Sequence, residues 1–212
     1  MIEAVDRRSV AGQLVEGETL AAVLRQAPLD VETAVRYASE IGDALDAAHS
    51  RGIVHRALDP ANVIITPAGA RLLDAGPALP GPYTAPEQLE GQPSDARADI
   101  FSFGAKFYEM LTGRRPFTPT AESDVMTQVT GLMPPPPSSL NRAVSPAVDA
   151  VVVRCLARTP ADRWPTVRAL LNALTIALHE SRDMHSVPRW SYAAAAAAVL
   201  LIVVAVGCPY LD

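Results

Sequence analysis

His55-Arg56-Ala57-Leu58-Asp59-Pro60-Ala61-Asn62 is the stretch on which the reading of this chain turns, because it gathers polar groups between two well-marked elements. Upstream, Ala34, Tyr37, Ala38, Ile41, Leu45 and Ala48 recur at three- and four-residue steps behind a capping candidate, Asp30. That spacing predicts a long amphipathic helix, and Gly52 supplies its left-handed stop. Downstream, residues 62–66 and 70–73, joined by Pro67-Ala68-Gly69, read as a small β-hairpin. The next segment, Asp74 to Glu87, holds four prolines and two glycines and is expected to be a loop.

Further out, the pattern is helical. A short helix is predicted from about Thr19 to Gln26. Residues 98–112 are apolar or small on every side, which places that helix inside the domain. Ser145-Pro146 is a cap followed by a first-turn proline, with Val148, Val151, Val152, Cys155 and Leu156 lining one face behind it. A last amphipathic helix starts near Pro165 and carries Val167, Leu170, Leu171, Leu174 and Leu178 inward. The expected fold is mainly α with a small β-hairpin.

The chain has 212 residues, 49% of them apolar, which suffices for one domain with a buried core. The formal net charge is -5 and no Lys/Arg run occurs, so nucleic acid is set aside as a partner. Cys155 and Cys208 lack any spacing that suggests a disulfide framework or a zinc site. The start of the chain alternates charged and apolar residues too finely for the apolar core of a signal peptide.

The tail differs in kind. From Trp190 to Tyr210 no charged side chain occurs, a run of about 20 residues that matches a bilayer core of roughly 30 Å. Ala193 to Ala198 are only weakly lipophilic, so the competing reading is a buried core helix. Leu200 to Val206 are continuously aliphatic and aromatics stand at both rims, which favours one transmembrane helix at 191–208. Arg182 and Arg189 precede the segment and Asp212 alone follows it with a charge. The positive-inside rule then puts the globular part in the cytoplasm.

Six motifs in order carry a resemblance. His55-Arg56-Ala57-Leu58-Asp59-Pro60-Ala61-Asn62 resembles the catalytic loop of protein kinases, His-Arg-Asp-x-x-x-x-Asn. Asp74-Ala75-Gly76 resembles the metal-binding Asp-Phe-Gly, and Ala85-Pro86-Glu87 matches Ala-Pro-Glu. Asp99 to Gly104, Tyr108 to Gly113 with Arg115-Pro116-Phe117, and Pro160 to Pro165 around Arg163 resemble the central helix and the late arginine motif of the large lobe. The chain is thus similar to the C-terminal lobe of bacterial serine/threonine protein kinases over about residues 14–178.

The resemblance implies roles position by position. Asn62 and Asp74 would hold magnesium on the phosphates of ATP. Asp99 would accept backbone hydrogen bonds from the His55-Arg56 turn, and Glu87 would pair with Arg163. The family's proton-accepting aspartate is Ala57 here, and a methyl group cannot take a proton. A positioned general base is worth typically 10²- to 10⁴-fold, roughly 3 to 5 kcal/mol of barrier. Asp59 stands where the family has a lysine that touches the transferring phosphate. That reversal exchanges attraction for repulsion on the order of 4 kcal/mol per close pair. Lys106, the chain's one lysine, lies in the central helix, away from any phosphate clamp.

Residues 1–13 are too few for the ATP-clamping lobe and are read as a leader. The expected organisation is a kinase-like lobe at 14–180, a linker at 181–190, the transmembrane helix at 191–208 and a tail at 209–212. The expected role is that of a membrane-tethered pseudokinase that binds or scaffolds a partner such as a true kinase or signalling protein, with no tightly held cofactor and at most weak ATP and magnesium. Two alternatives stay open: a weak kinase completed by another chain, and a truncated gene product without a selected role. Tyr83 and Thr84 are read as solvated loop residues rather than phosphoacceptors, His49 as a solvated histidine, and Pro134 to Pro137 as a plain loop. Leu14, Val15, Ile53 and Leu72 are read as a candidate exposed apolar patch.

Overall fold

The computed structural model describes residues 8–10, 13–73, 80–118 and 124–186. Strands β1 (Arg8–Val10) and β2 (Gln13–Val15) pair antiparallel with Arg8 opposite Val15, so pairing crosses the expected boundary at 13/14. Strand β3 (Glu18–Thr19) leads directly into α1 (Leu20–Gln26), whose first turn is capped by the Thr19 hydroxyl accepting from Ala22 N.

Helix α2 (Val31–His49) starts where Asp30 accepts from Thr33 N at 2.9 Å, and Gly52 follows its end at φ +75°. Ala34, Ala38, Ile41 and Leu45 form its buried face. Strands β4 (Val63–Thr66) and β5 (Gly69–Leu72) form the predicted hairpin. It is not isolated: β3 adds a third antiparallel strand, with Thr19 opposite Ile64. Two residues of β3 carry too little alternation to be read from sequence, and Glu40 of α2 fastens the sheet by accepting from Ala70 N at 2.6 Å.

The loop expected through Glu87 ends earlier, because Pro86 starts a one-turn helix, α3 (Pro86–Leu89), at a position where its absent N–H costs nothing. Helix α4 (Ala96–Thr112) is the axis of the fold, buried almost all round and stopped by Gly113 at φ +68°. Gly104 permits close approach of α7 (Pro146–Cys155), since a Cβ at that position would stand 2.4 Å from the Cys155 Cβ. Of two shorter helices, α5 (Asp124–Gly131) packs against α3 and α6 (Pro137–Leu140) against α4 and α7, so the last of the four prolines begins a helical turn. Helix α8 (Val167–Ser186) runs past the expected linker boundary at 180/181. One core joins α2, α4, α7 and α8.

Among the described residues no helix is long and apolar enough to cross a membrane. The span expected at 191–208, like Asp74 and Cys208, lies outside the described residues. Of the expected apolar patch, Ile53 is 55% exposed, whereas Leu72 packs against the core.

Candidate functional site: the His55–Asn62 cleft

Asp99 builds the site from below. Its carboxylate is fully buried near the start of α4 and accepts from His55 N and Arg56 N, both at 2.7 Å. A third donor is His49 Nε2 at 2.8 Å, from the end of α2. His49 is therefore a positioned partner with 12% of its side chain exposed, not the solvated histidine expected. Two successive amides converge on one carboxylate only if the chain turns sharply, and Arg56 adopts φ +62° to do so. This left-handed conformation is uncommon for a residue with a Cβ and persists where surrounding contacts hold it. Gln88 adds one such contact by donating to Arg56 O at 3.1 Å.

The far end of the stretch is fixed as firmly. Asp59 caps a 3₁₀ turn, Pro60–Asn62, by accepting from Ala61 N at 2.8 Å. Asn62 Nδ2 donates to Ala57 O at 2.8 Å, closing the loop on itself. His55 Nε2 donates to Leu73 O at 3.0 Å, and Leu73 N donates to Asn62 O at 2.9 Å. These bonds set the point from which the chain departs toward Asp74.

Between this loop and the segment before α3 lies a cleft of about 420 Å³, lined by Arg56, Ala57, Asp59, Asn62, Tyr83 and Thr84 among others. The Ala57 methyl thus borders the space where the resemblance puts a proton acceptor. Thr84 Oγ1 accepts from Gly81 N at 2.9 Å. Tyr83 is buried rather than solvated, and its hydroxyl donates to Glu109 Oε2 at 2.5 Å. Burial first, then the Glu109 carboxylate, pushes the Tyr83 phenol well above its ordinary range.

Of the two residues that the resemblance gives to a magnesium-bound nucleotide, Asn62 lines the cleft and Asp74 lies outside the described residues. Asn62 can turn an amide oxygen to a cation, but Asp59 presents the charge that a phosphate avoids. Lys106 is 1% exposed, below the cleft. Among the described residues no group of three or more His, Cys, Asp or Glu side chains converges as a metal site.

Glu87 and Arg163, 76 residues apart, meet in the core on the other side of α3. Nη1 and Nη2 donate to the two carboxylate oxygens at 2.7 and 2.8 Å. The remaining donors are used as well: Nε bonds Ala157 O, Nη1 bonds Arg97 O and Nη2 bonds Arg158 O. The guanidinium also lies 5.0 Å from the Phe101 ring centroid. One side chain in the turn before α8 therefore ties together α3, the first turn of α4 and the residues just after α7.

The sequence reading takes His49 and Tyr83 as solvated, whereas both are held by carboxylates. Neither carries a local signal, since their partners lie 50 and 26 residues away.

Comparison with known proteins agrees with this architecture. Residues 1–174 match the protein kinase domain family. The match begins ahead of residue 14, where the resemblance read from the motifs began. Serine/threonine-protein kinase Pkn1 of Myxococcus xanthus is 38% identical over 174 residues, covering 72% of this chain and 25% of that protein. Serine/threonine-protein kinase PknB of Mycobacterium tuberculosis is 32% identical over 173 residues, covering 73% and 28%. The chain thus spans about a quarter of the length of these two relatives. A crystal structure of the Mycobacterium tuberculosis PknI kinase domain superposes with a TM-score of 0.67 at 30% identity, covering 82% of this chain and 70% of that one. The chain belongs to the protein kinase family and is related to the bacterial serine/threonine kinases.

Proposed function

We propose that this chain is a pseudokinase, silent in phosphoryl transfer, that acts by binding or scaffolding a protein partner such as a true kinase or signalling protein. The observation that carries this reading is Ala57, a methyl bordering the cleft on a loop held by Asp99. Among the described residues the nearest carboxylate in the cleft lining is Asp59, two residues on, and the Oδ1 that accepts from Ala61 N holds it in a capping role. Asp59 also disfavours a triphosphate, so ATP and magnesium bind weakly or not at all, with residual affinity resting on Asn62 and Asp74. Incubation of the full chain with γ-labelled ATP and magnesium should transfer no label to itself or to a generic peptide above an Asn62→Ala, Asp74→Ala control. Ala57→Asp alone should restore nothing. Labelling above the control would sink the reading, and a gain in Ala57→Asp would show that only the base is lacking.

The same reading includes a membrane tether at 191–208 with the kinase-like lobe in the cytoplasm, supported by the uncharged run and the basic flank of Arg182 and Arg189. The chain should stay with membranes in alkaline carbonate. Arginines at Leu201 and Val204 should each oppose insertion by roughly 2.5 to 3.5 kcal/mol and release it. Unmodified protein in the carbonate wash would remove the tether from the proposal.

A further inference from the structure

Lys106 is the one lysine of the chain, and it stands in the middle of α4 with its amine fully buried and, among the described residues, without a hydrogen-bond partner. An amine in that position serves no structural need that a methionine would not meet better, because a buried donor without an acceptor is costly. Its surroundings are nonetheless charged. Asp99 and Glu109 belong to its own helix, Asp59 comes from the loop, and the Tyr83 ring centroid lies 5.7 Å from Nζ. Arg115 is next in line, 3.6 Å from Glu109 and 5.8 Å from the Tyr83 centroid. His49 reaches the cluster through Asp99.

The three carboxylates differ in what already occupies them. Asp99 accepts from three donors. Glu109 accepts from Tyr83 and faces Arg115. Asp59 accepts from Ala61 N and, among the described residues, faces no arginine within ion-pair distance, so it retains spare acceptor capacity. It is also the carboxylate that lines both the 420 Å³ cleft and a second space of about 120 Å³ under Tyr83 and Glu109, which leaves it room to move. A charge appearing on Lys106 is therefore felt first at Asp59.

We propose that Lys106 is a proton-operated control beneath the cleft: with its proton it offsets Asp59 from within the core, and without it Asp59 is balanced only by the arginines that line its two spaces, Arg56 in the cleft and Arg25 and Arg115 in the smaller one. Burial pulls the amine down to about 7 against the attraction of Asp59, Asp99 and Glu109, so the proton comes and goes near neutrality. The cleft accordingly gains one positive charge beneath its Asp59 wall as the pH falls through that point. Because Asp59 also caps Ala61 N, the Ala61 amide reports the change directly.

A single lysine makes the test unambiguous. The full chain labelled with ¹³C,¹⁵N-lysine gives one side-chain signal, and its titration should centre near 7 rather than near 10.4, the ordinary value. The Ala61 amide should shift with the same midpoint in the wild type and stay flat through it in Lys106→Met. Asp59→Asn, which retains a capping oxygen, should lower the lysine midpoint by about 1 unit. A lysine midpoint near 10.4 would overturn the proposal, as would an Ala61 shift that persists in Lys106→Met or a midpoint indifferent to Asp59→Asn.

Discussion

Arg163→Ala is expected to destabilise the fold by about 3 to 5 kcal/mol, and Glu87→Ala by somewhat less. Each substitution strands a charge in the core, since the side chains of Arg163 and Glu87 are 0% and 6% exposed. The asymmetry follows from the other contacts. Removing the carboxylate leaves the guanidinium bonded to Ala157 O, Arg97 O and Arg158 O, whereas removing the guanidinium also orphans those three carbonyls. Total stabilities of single domains lie near 5 to 15 kcal/mol, so either variant consumes much of the margin. Glu87→Gln, which keeps one acceptor, should fall between wild type and Glu87→Ala. In a double-mutant cycle by urea unfolding of the full chain, the alanine pair should couple by about 2 kcal/mol or more. A coupling near zero would mean that the two side chains act separately and that the bidentate contact contributes nothing.

That pair shows what a sequence discloses and what it withholds. Pro86-Glu87 and Asp162-Arg163 stood out through motif order, and the motif order placed Asp99 beneath the His55-Arg56 turn, where its carboxylate lies. Helix α4 was legible from burial alone, since apolar and small residues on every side leave it no solvent face. Strands β1 and β3 were not legible. Each has two or three residues, too few for an alternation, and each exists because a partner strand satisfies its backbone. His49 was read as solvated because helical spacing gives no hint of a carboxylate 50 residues away. Tyr83 was misjudged for the same reason, its loop being proline-rich while its ring is buried. The polar centre of this fold is thus assembled from tertiary contacts that local pattern cannot encode.

The stability of the full chain should rise by roughly 2 kcal/mol between pH 7 and pH 9, and Lys106→Met should flatten that rise. The sign follows from proton counting. In the unfolded chain Lys106 holds its proton up to about pH 10.4, while the native amine releases it near 7. Between those values the unfolded state binds more protons, so unfolding becomes less favourable as pH rises, by about 1.4 kcal/mol per unit at most. Below pH 7 both states are protonated and this contribution is flat. Asp30 and Asp95, both held below the ordinary carboxylate range by hydrogen bonds, weaken the fold only under acid conditions, outside this window. From about pH 8.5, the ordinary value of a cysteine thiol, three opposing groups enter. Burial raises Cys155 and Tyr83 far above their ordinary values and raises Tyr108 as well, so all three ionise first in the unfolded chain and stability falls again. The expected profile is a maximum near pH 9 in the wild type. Lys106→Met, which fills the same space without an amine to desolvate, should be about 2 to 4 kcal/mol more stable at pH 7 and show no climb toward 9. Equal slopes in the two proteins, measured by urea unfolding at pH 7, 8 and 9, would mean that Lys106 keeps its proton in the native state.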